Sequence, residues 1–186
     1  MEVIQLDKEF NPKFLSEVEK RSGQNISACY QCGKCTAGCP AGDFYDVQIS
    51  RIMRAVQLGL KDEALGCRSL WLCLSCSTCT QRCPNEIDIA RVVETLRGMA
   101  REEGKIQDRP IEKFWQSFLD VVKRTGRSYE LGVMAEFMLR SGRGWGNVDM
   151  APTALRRRKL PMRPTMIKGR EEVARILRRF AEKRSA

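Results

Sequence analysis

The stretch Cys29-Tyr30-Gln31-Cys32-Gly33-Lys34-Cys35-Thr36-Ala37-Gly38-Cys39-Pro40 decides the fold, because the chain repeats its pattern. It returns as Cys73-Leu74-Ser75-Cys76-Ser77-Thr78-Cys79-Thr80-Gln81-Arg82-Cys83-Pro84, with every cysteine displaced by 44 positions. Three cysteines spaced by three residues wrap three corners of one compact metal centre if the loop curls around it. The fourth is carried away by the next turn, and the proline directs the chain outwards. Eight of the nine cysteines in this 186-residue chain lie in the two runs, and Cys67 stands apart. With no histidine present, a metal here takes thiolate or oxygen ligands. A disulfide framework would want an even count and an exported chain. The count is odd, and Met1-Glu2-Val3-Ile4-Gln5 has neither the basic region nor the apolar run of a secretory signal. Structural zinc prefers two separated Cys-x2-Cys pairs. The spacing points to iron–sulfur ligation.

That spacing resembles the one found in two-cluster bacterial ferredoxins, where the fourth cysteine of each run ligates the other cluster. Carried onto this chain, the resemblance implies one [4Fe–4S] cluster on Cys29, Cys32, Cys35 and Cys83. The second falls to Cys73, Cys76, Cys79 and Cys39. Crossed ligation ties both repeats into one unit that needs its metal to fold. Cys67 reads as a buried thiol behaving as a small apolar residue. Gly33, Lys34, Thr36, Ser75, Ser77 and Thr80 read as loop formers also able to donate hydrogen bonds to sulfur.

Outside the runs the periodicity is helical. Asn11-Pro12 reads as a helix start and Gly23 as its end. A helix is expected over Asp43–Leu58, with Val47, Ile49, Ile52, Met53 and Val56 apolar and Gly59 as its cap. Another is expected over Asp88–Glu103, with Ile89, Val92, Val93, Leu96 and Met99 inward and Gly104 stopping it. Ile52, Val56, Val92 and Leu96 are the expected core. Beyond Pro110, the residues Ile111, Phe114, Trp115, Phe118, Leu119 and Val122 form a broad apolar stripe that ends at Gly126. Ser128 is placed to cap a helix carrying Leu131, Met134, Phe137 and Met138. Gly142 to Pro164 reads as an extended, solvated arm. A last amphipathic helix over Glu171–Lys183 presents Val173, Ile176, Leu177 and Phe180. No alternating strand pattern occurs. The fold expected is all-α: a helical two-cluster ferredoxin domain over 1–104, a helical extension packing on it over 105–141, and a basic arm with a terminal amphipathic helix over 142–186.

Charge is divided unevenly. Residues 105–186 carry 20 Lys+Arg against 9 Asp+Glu, whereas residues 1–104 are close to balanced. The chain's +10 excess therefore belongs to its cysteine-free part. A basic tail fits an acidic partner or an anionic surface. Nucleic acid is the poorer match, because Trp145 is the one aromatic residue in the arm. No stretch is long and apolar enough to predict a membrane span. The expected location is the cytoplasm.

The 33 residues between Cys39 and Cys73, largely helical in pattern, resemble the helical ferredoxin domain of succinate dehydrogenase and fumarate reductase iron–sulfur subunits. The C-type iron–sulfur subunit of heterodisulfide reductase is the closer resemblance. The first run as quoted carries it, together with Trp71-Leu72-Cys73 and the Phe118-Leu119-Asp120, Gly126-Arg127 and Tyr129-Glu130 segments. This resemblance implies an electron-transfer component of a cytoplasmic hetero-oligomeric complex. Its two [4Fe–4S] clusters would relay single electrons between a flavin- and cluster-bearing A-type subunit and a disulfide- or thiol-active B-type subunit. A free-standing two-cluster ferredoxin serving another dehydrogenase is the alternative. No catalytic residue is expected, since the chain has no Gly-x-Gly-x-x-Gly dinucleotide motif, no Cys-Cys-Gly element and no histidine.

Overall fold

The computed structural model describes residues 10–142, 150–157, 161 and 163–185. The chain is helical: among the described residues no strand forms, and one isolated bridge joins Phe10 to Leu60. It divides into two compact units, Met1–Asp108 and Arg109–Ala186. The opening nine residues and half of the arm expected after Gly142 (143–149, 158–160 and 162) lie outside the described residues.

The first unit contains α1 (Phe14–Ser22), α2 (Lys34–Ala37), α3 (Ile49–Gln57), α4 (Lys61–Gly66), α5 (Ser69–Leu72), α6 (Thr78–Gln81) and α7 (Ile89–Glu102). α1 starts later than the Asn11-Pro12 signal implies. Asn11 Oδ1 accepts from the Lys13 amide and the Asn11 carbonyl from the Phe14 amide, so these residues build a turn ahead of the helix. Gly23 ends it at φ 68°. α3 also starts late, because Gly42–Phe44 form a separate 3-10 turn. α7 matches its expected span, with Asp88 capping the Arg91 amide.

Helices α3 and α7 bury the same positions counted from their first residue. Ile49 matches Ile89, Ile52 matches Val92, Met53 matches Val93 and Val56 matches Leu96, all buried. The four residues expected to form the core are all fully enclosed. Apolar side chains at helix positions 1, 4, 5 and 8 fall on one face. α1 and α4 each pack against both α3 and α7, so the helices of the two repeats are bridged through shared neighbours. Phe14 and Val18 of α1 and Ala64 and Leu65 of α4 fill this layer without exposure.

The second unit contains α8 (Arg109–Thr125), α9 (Glu130–Ser141), α10 (Met150–Arg156) and α11 (Arg170–Ser185). α9 and α11 both pack on α8. The buried line on α8 is Ser117, Val121 and Thr125, and of the apolar stripe read from the sequence Phe114, Trp115 and Leu119 stay exposed. An apolar face announces that something covers it, whereas the neighbours α9 and α11 decide which line of α8 is covered. Phe114 meets Phe137 edge-on at 5.7 Å. Ser117 and Thr125 satisfy their hydroxyls on the carbonyls of Lys113 and Val121, one turn back. Gly126 sits at φ 82°, and a Cβ there would lie 2.4 Å from Ile167 Cγ1, so the residue has to be glycine.

Two further expectations are corrected in this unit. The cap position of α9 is Tyr129, one residue after Ser128, and it caps through backbone alone. The arm is not wholly extended, since α10 occupies Met150–Arg156. Pro152 falls in its first turn, where the missing N–H has no helical partner to lose. On α11, Val173 and Leu177 are half-buried while Ile176 and Phe180 are largely exposed.

Candidate metal centre

Each cysteine run folds as a loop that closes with a one-turn helix, α2 in the first and α6 in the second. Four loop residues take left-handed backbone angles: Gln31 at φ 62° and Gly33 at φ 76°, then Ser75 at φ 51° and Ser77 at φ 59°. These occupy the same two positions in each run, and only one of them is glycine. Left-handed residues alternating with others curl the backbone and can turn its N–H groups to the inside of the curve. Such a concavity receives anions and iron–sulfur clusters.

The helix after each run locks its loop with matching bonds. The Thr36 hydroxyl oxygen accepts from the Ser50 amide at 3.0 Å, the second residue of α3. Thr80 does the same for the Ala90 amide at 3.2 Å, the second residue of α7. Both threonines thus satisfy an N-terminal amide that the helix leaves unpaired. At the ninth helix position, Gln57 Nε2 donates to the carbonyls of Ile26 (3.1 Å) and Cys29 (2.8 Å). Its counterpart Arg97 donates to the carbonyls of Leu70 (2.8 Å) and Cys73 (3.0 Å). Those two carbonyl pairs are the same loop positions. Thr36 and Thr80 read from the sequence as sulfur donors or loop formers, and nothing in it marks Gln57 or Arg97. Aligning the cysteines hides them, because the helices repeat four positions out of step with the runs.

The segment after each run's fourth cysteine docks on the residues that lead into the other run. Asn85, two residues past Cys83, donates to the Ala28 carbonyl just before Cys29. Asp46, past Cys39, accepts from the amides of Arg68 (2.8 Å) and Ser69 (2.9 Å), ahead of Cys73. Burial opposes the Asp46 charge, but the Ser69 hydroxyl and these amides hold its carboxyl below the ordinary range. The Tyr30 phenol is raised by desolvation and then by Cys32, with Cys83 and Cys29 adding to it. Burial, and next the neighbouring Cys39 and Cys73, push Tyr45 up strongly. α2 and α6 touch, and Arg82 lies across Gly38, where a Cβ would come within 2.5 Å of the arginine Cδ.

The thiols differ by environment. Cys32 and Cys76 are exposed, Cys35 is buried and the other five of the runs are half-buried. Burial raises Cys35 and pushes Cys79 up to about 11. The Thr78 hydroxyl, 3.3 Å from Cys76 Sγ, lowers that thiol. Gln31 Nε2 stands 3.4 Å from Cys29 Sγ. Iron binding displaces such thiol protons. Cys67 is 3% exposed, rests on the Ala64 carbonyl, and is pushed up to about 11 by burial. It behaves as a core residue.

Among the described residues, no three Cys, Asp or Glu side chains converge tightly enough for a single metal ion. A cubane spreads its thiolates over four irons, so its ligands stand further apart. Eight thiols on two curled loops fit that donor set, and no described residue offers the imidazole that structural zinc sites often use. The fold and the loops define a helical protein that carries two [4Fe–4S] clusters. Residues 28–88 match the 4Fe-4S dicluster domain family. Over 148 residues, 80% of this chain and 74% of the relative, the chain is 34% identical to the C component of the H(2):CoB-CoM heterodisulfide,ferredoxin reductase of Methanothermobacter thermautotrophicus. It is 38% identical over 106 residues to the C-type iron–sulfur subunit of the CoB–CoM heterodisulfide reductase of Methanopyrus kandleri, covering 53% of this chain and 55% of that protein. The C component of the Ferredoxin:CoB-CoM heterodisulfide reductase of Methanosarcina mazei is 36% identical over 90 residues, 48% of this chain and 55% of the relative. The chain thus spans little more than half the length of the latter two relatives. It belongs to the family of C-type iron–sulfur subunits of heterodisulfide reductase.

Proposed function

We infer that this chain is an electron-transfer component of a heterodisulfide reductase-type complex. It passes single electrons between an A-type subunit bearing flavin and iron–sulfur groups and a B-type subunit that acts on a disulfide or thiol. The observation that carries this reading is the paired construction of the loops, two equivalent cradles each locked by its own helix. Rigid cradles suit electron transfer, which asks for little atomic movement. When bound, each cubane supplies a one-electron couple between its 2+ and 1+ cores. We assign Cys29, Cys32, Cys35 and Cys83 to the first and Cys73, Cys76, Cys79 and Cys39 to the second. The Asn85–Ala28 and Asp46–Ser69 ties support that crossed set, because they bring each fourth cysteine's segment to the opposite run.

The chain's own residues divide the remaining work. Loop amides and the Gln31 and Thr78 side chains hold charge on sulfur through hydrogen bonds. Cys32 and Cys76 keep an edge of each site at the surface, where an electron can enter or leave. Without histidine the chain holds no imidazole for proton transfer. Substrate chemistry then falls to partner subunits. Exposed Tyr30, Phe44 and Leu74 in the first unit, and Phe114, Trp115 and Leu119 in the second, support life within a complex. Among the described residues, no helix is long and apolar enough to cross a membrane.

Cluster-resolved spectroscopy of Cys83→Ser and Cys39→Ser, prepared without oxygen, tests the ligand set. Cys83→Ser should perturb the same signal as Cys32→Ala, and Cys39→Ser the same signal as Cys76→Ala. If Cys83→Ser follows Cys76→Ala instead, the repeats bind independently. Native purification tests the complex: a lone 21.2 kDa chain would favour the free ferredoxin.

A further inference from the structure

The two loops are locked by equivalent clamps that differ in charge. Gln57 and Arg97 occupy the same position on their helices and bond the same pair of loop carbonyls. Gln57 is neutral. Arg97 is a guanidinium, which stays protonated throughout the accessible pH range. It is only 9% exposed, and its hydrogen bonds go to two main-chain carbonyls rather than to a carboxylate. A buried cation is therefore held against the backbone of Cys73, at a place where the first loop has an amide.

We propose that Arg97 sets the two clusters apart in potential, making the cluster on Cys73, Cys76 and Cys79 the easier to reduce and the resting place of a single electron. This rests on the two-cluster reading above. Adding one electron to a cubane makes the cluster more negative by one charge, and a nearby buried cation stabilises that state. Interactions through the protein interior are far less screened than those through water.

Other charges lie near both loops, and their exposure ranks them. Lys34, Arg54 and Arg82 belong to or border the first site, and all three are solvent-exposed. Arg54 Nη1 reaches Gln57 Oε1 at 3.4 Å from the water side. Near the second site, Arg101 stands 5.2 Å from the Trp71 ring centre and acts in the same direction as Arg97. Glu94 is exposed. Asp88 acts in the opposite direction, but it is half-exposed and its carboxylate is engaged by the Thr80 hydroxyl and the Arg91 amide. The positive end of α7 offsets part of its charge. The cation without water around it dominates.

The test is a potentiometric titration of the anaerobic holoprotein with a one-electron donor such as dithionite, followed by electron paramagnetic resonance. Iron and sulfide are first counted in each sample. Wild type should carry eight irons and show two separable one-electron steps; a preparation with zinc and no sulfide defeats the cluster reading itself. Arg97→Gln, which copies the first loop's clamp, should shift the higher-potential step at least tenfold against reduction, or 59 mV for one electron. The lower step should stay in place. Arg97→Lys keeps the charge and should retain most of the wild-type value. Gln57→Arg should raise the lower step and narrow the gap. Should Arg97→Gln fail to hold its clusters, Gln57→Arg decides. Eight irons with both potentials unmoved in Gln57→Arg, or in Arg97→Gln, overturns the proposal while leaving the two-cluster reading intact.

Discussion

The first repeat reaches its helix through nine residues after Cys39, the second through five after Cys83, yet both helices arrive in the same register on their loops. From there the two differ according to what each position has to do. Cysteine and threonine are identical in both copies, because ligation and the helix cap each need a particular atom. The clamp differs, Gln57 against Arg97, because a loop carbonyl accepts from either donor. The left-handed positions differ most, Gln31 and Gly33 against Ser75 and Ser77. There the backbone angle is kept while the residue type varies. A conformation that three of these four residues do not favour on their own requires an external stabiliser. The bound cluster is the natural one.

Iron removal therefore has the largest expected effect. Chelation under oxidising conditions should open both loops together, with limited proteolysis cutting within 29–39 and 73–83 and helical circular dichroism falling. The clamps and caps hold the loops to α3 and α7, so loosening reaches the helices. Protection of one loop while the other is cut would break the equivalence and the crossed ligation with it.

The helix caps sharpen the comparison on a smaller scale. Thr36→Val should cost about 1 kcal/mol in denaturant unfolding of the holoprotein, since Gln48 offers α3 no side-chain cap. Thr80→Val should cost less, because Asp88 still accepts from the Arg91 amide at the start of α7. Equal costs would show that Asp88 does not share the load.

How far the sequence could be read follows the same division. The cysteine runs were legible because metal ligation fixes residue type and spacing together. α7 was legible because apolar spacing, Asp88 and Gly104 all agree. The short helices α2, α4, α5 and α6 were not, because four to six residues show no period. The Gln57–Arg97 equivalence was invisible along the chain, since it appears only once each helix is counted from its own start. In the second unit, the stripe from Ile111 to Val122 was legible as apolar, but nothing along the chain told that Phe114, Trp115 and Leu119 stay exposed. Periodicity marks a face; the covering helices choose which one is buried.

The smallest expected effect lies at Gly33 and Ser77, which are one position in two copies. Gly33 holds φ 76° with none of the chain's own atoms within 4 Å of a would-be Cβ, so the cost expected for Gly33→Ala within the chain is backbone strain. A left-handed L-residue costs roughly 1–2 kcal/mol, partly offset by the smaller entropy that alanine loses on folding. Ser77 already carries that strain at φ 59°. Ser77→Gly should relieve it in the folded loop while giving the unfolded chain more freedom, for a net change of a few tenths of a kcal/mol to about 1 kcal/mol in favour of the fold. Denaturant midpoints of the two variants, measured with eight irons confirmed, should move in opposite directions. If Ser77→Gly loses stability instead, then the Ser77 side chain does work that its glycine counterpart does not need. The loops would then be equivalent in shape alone.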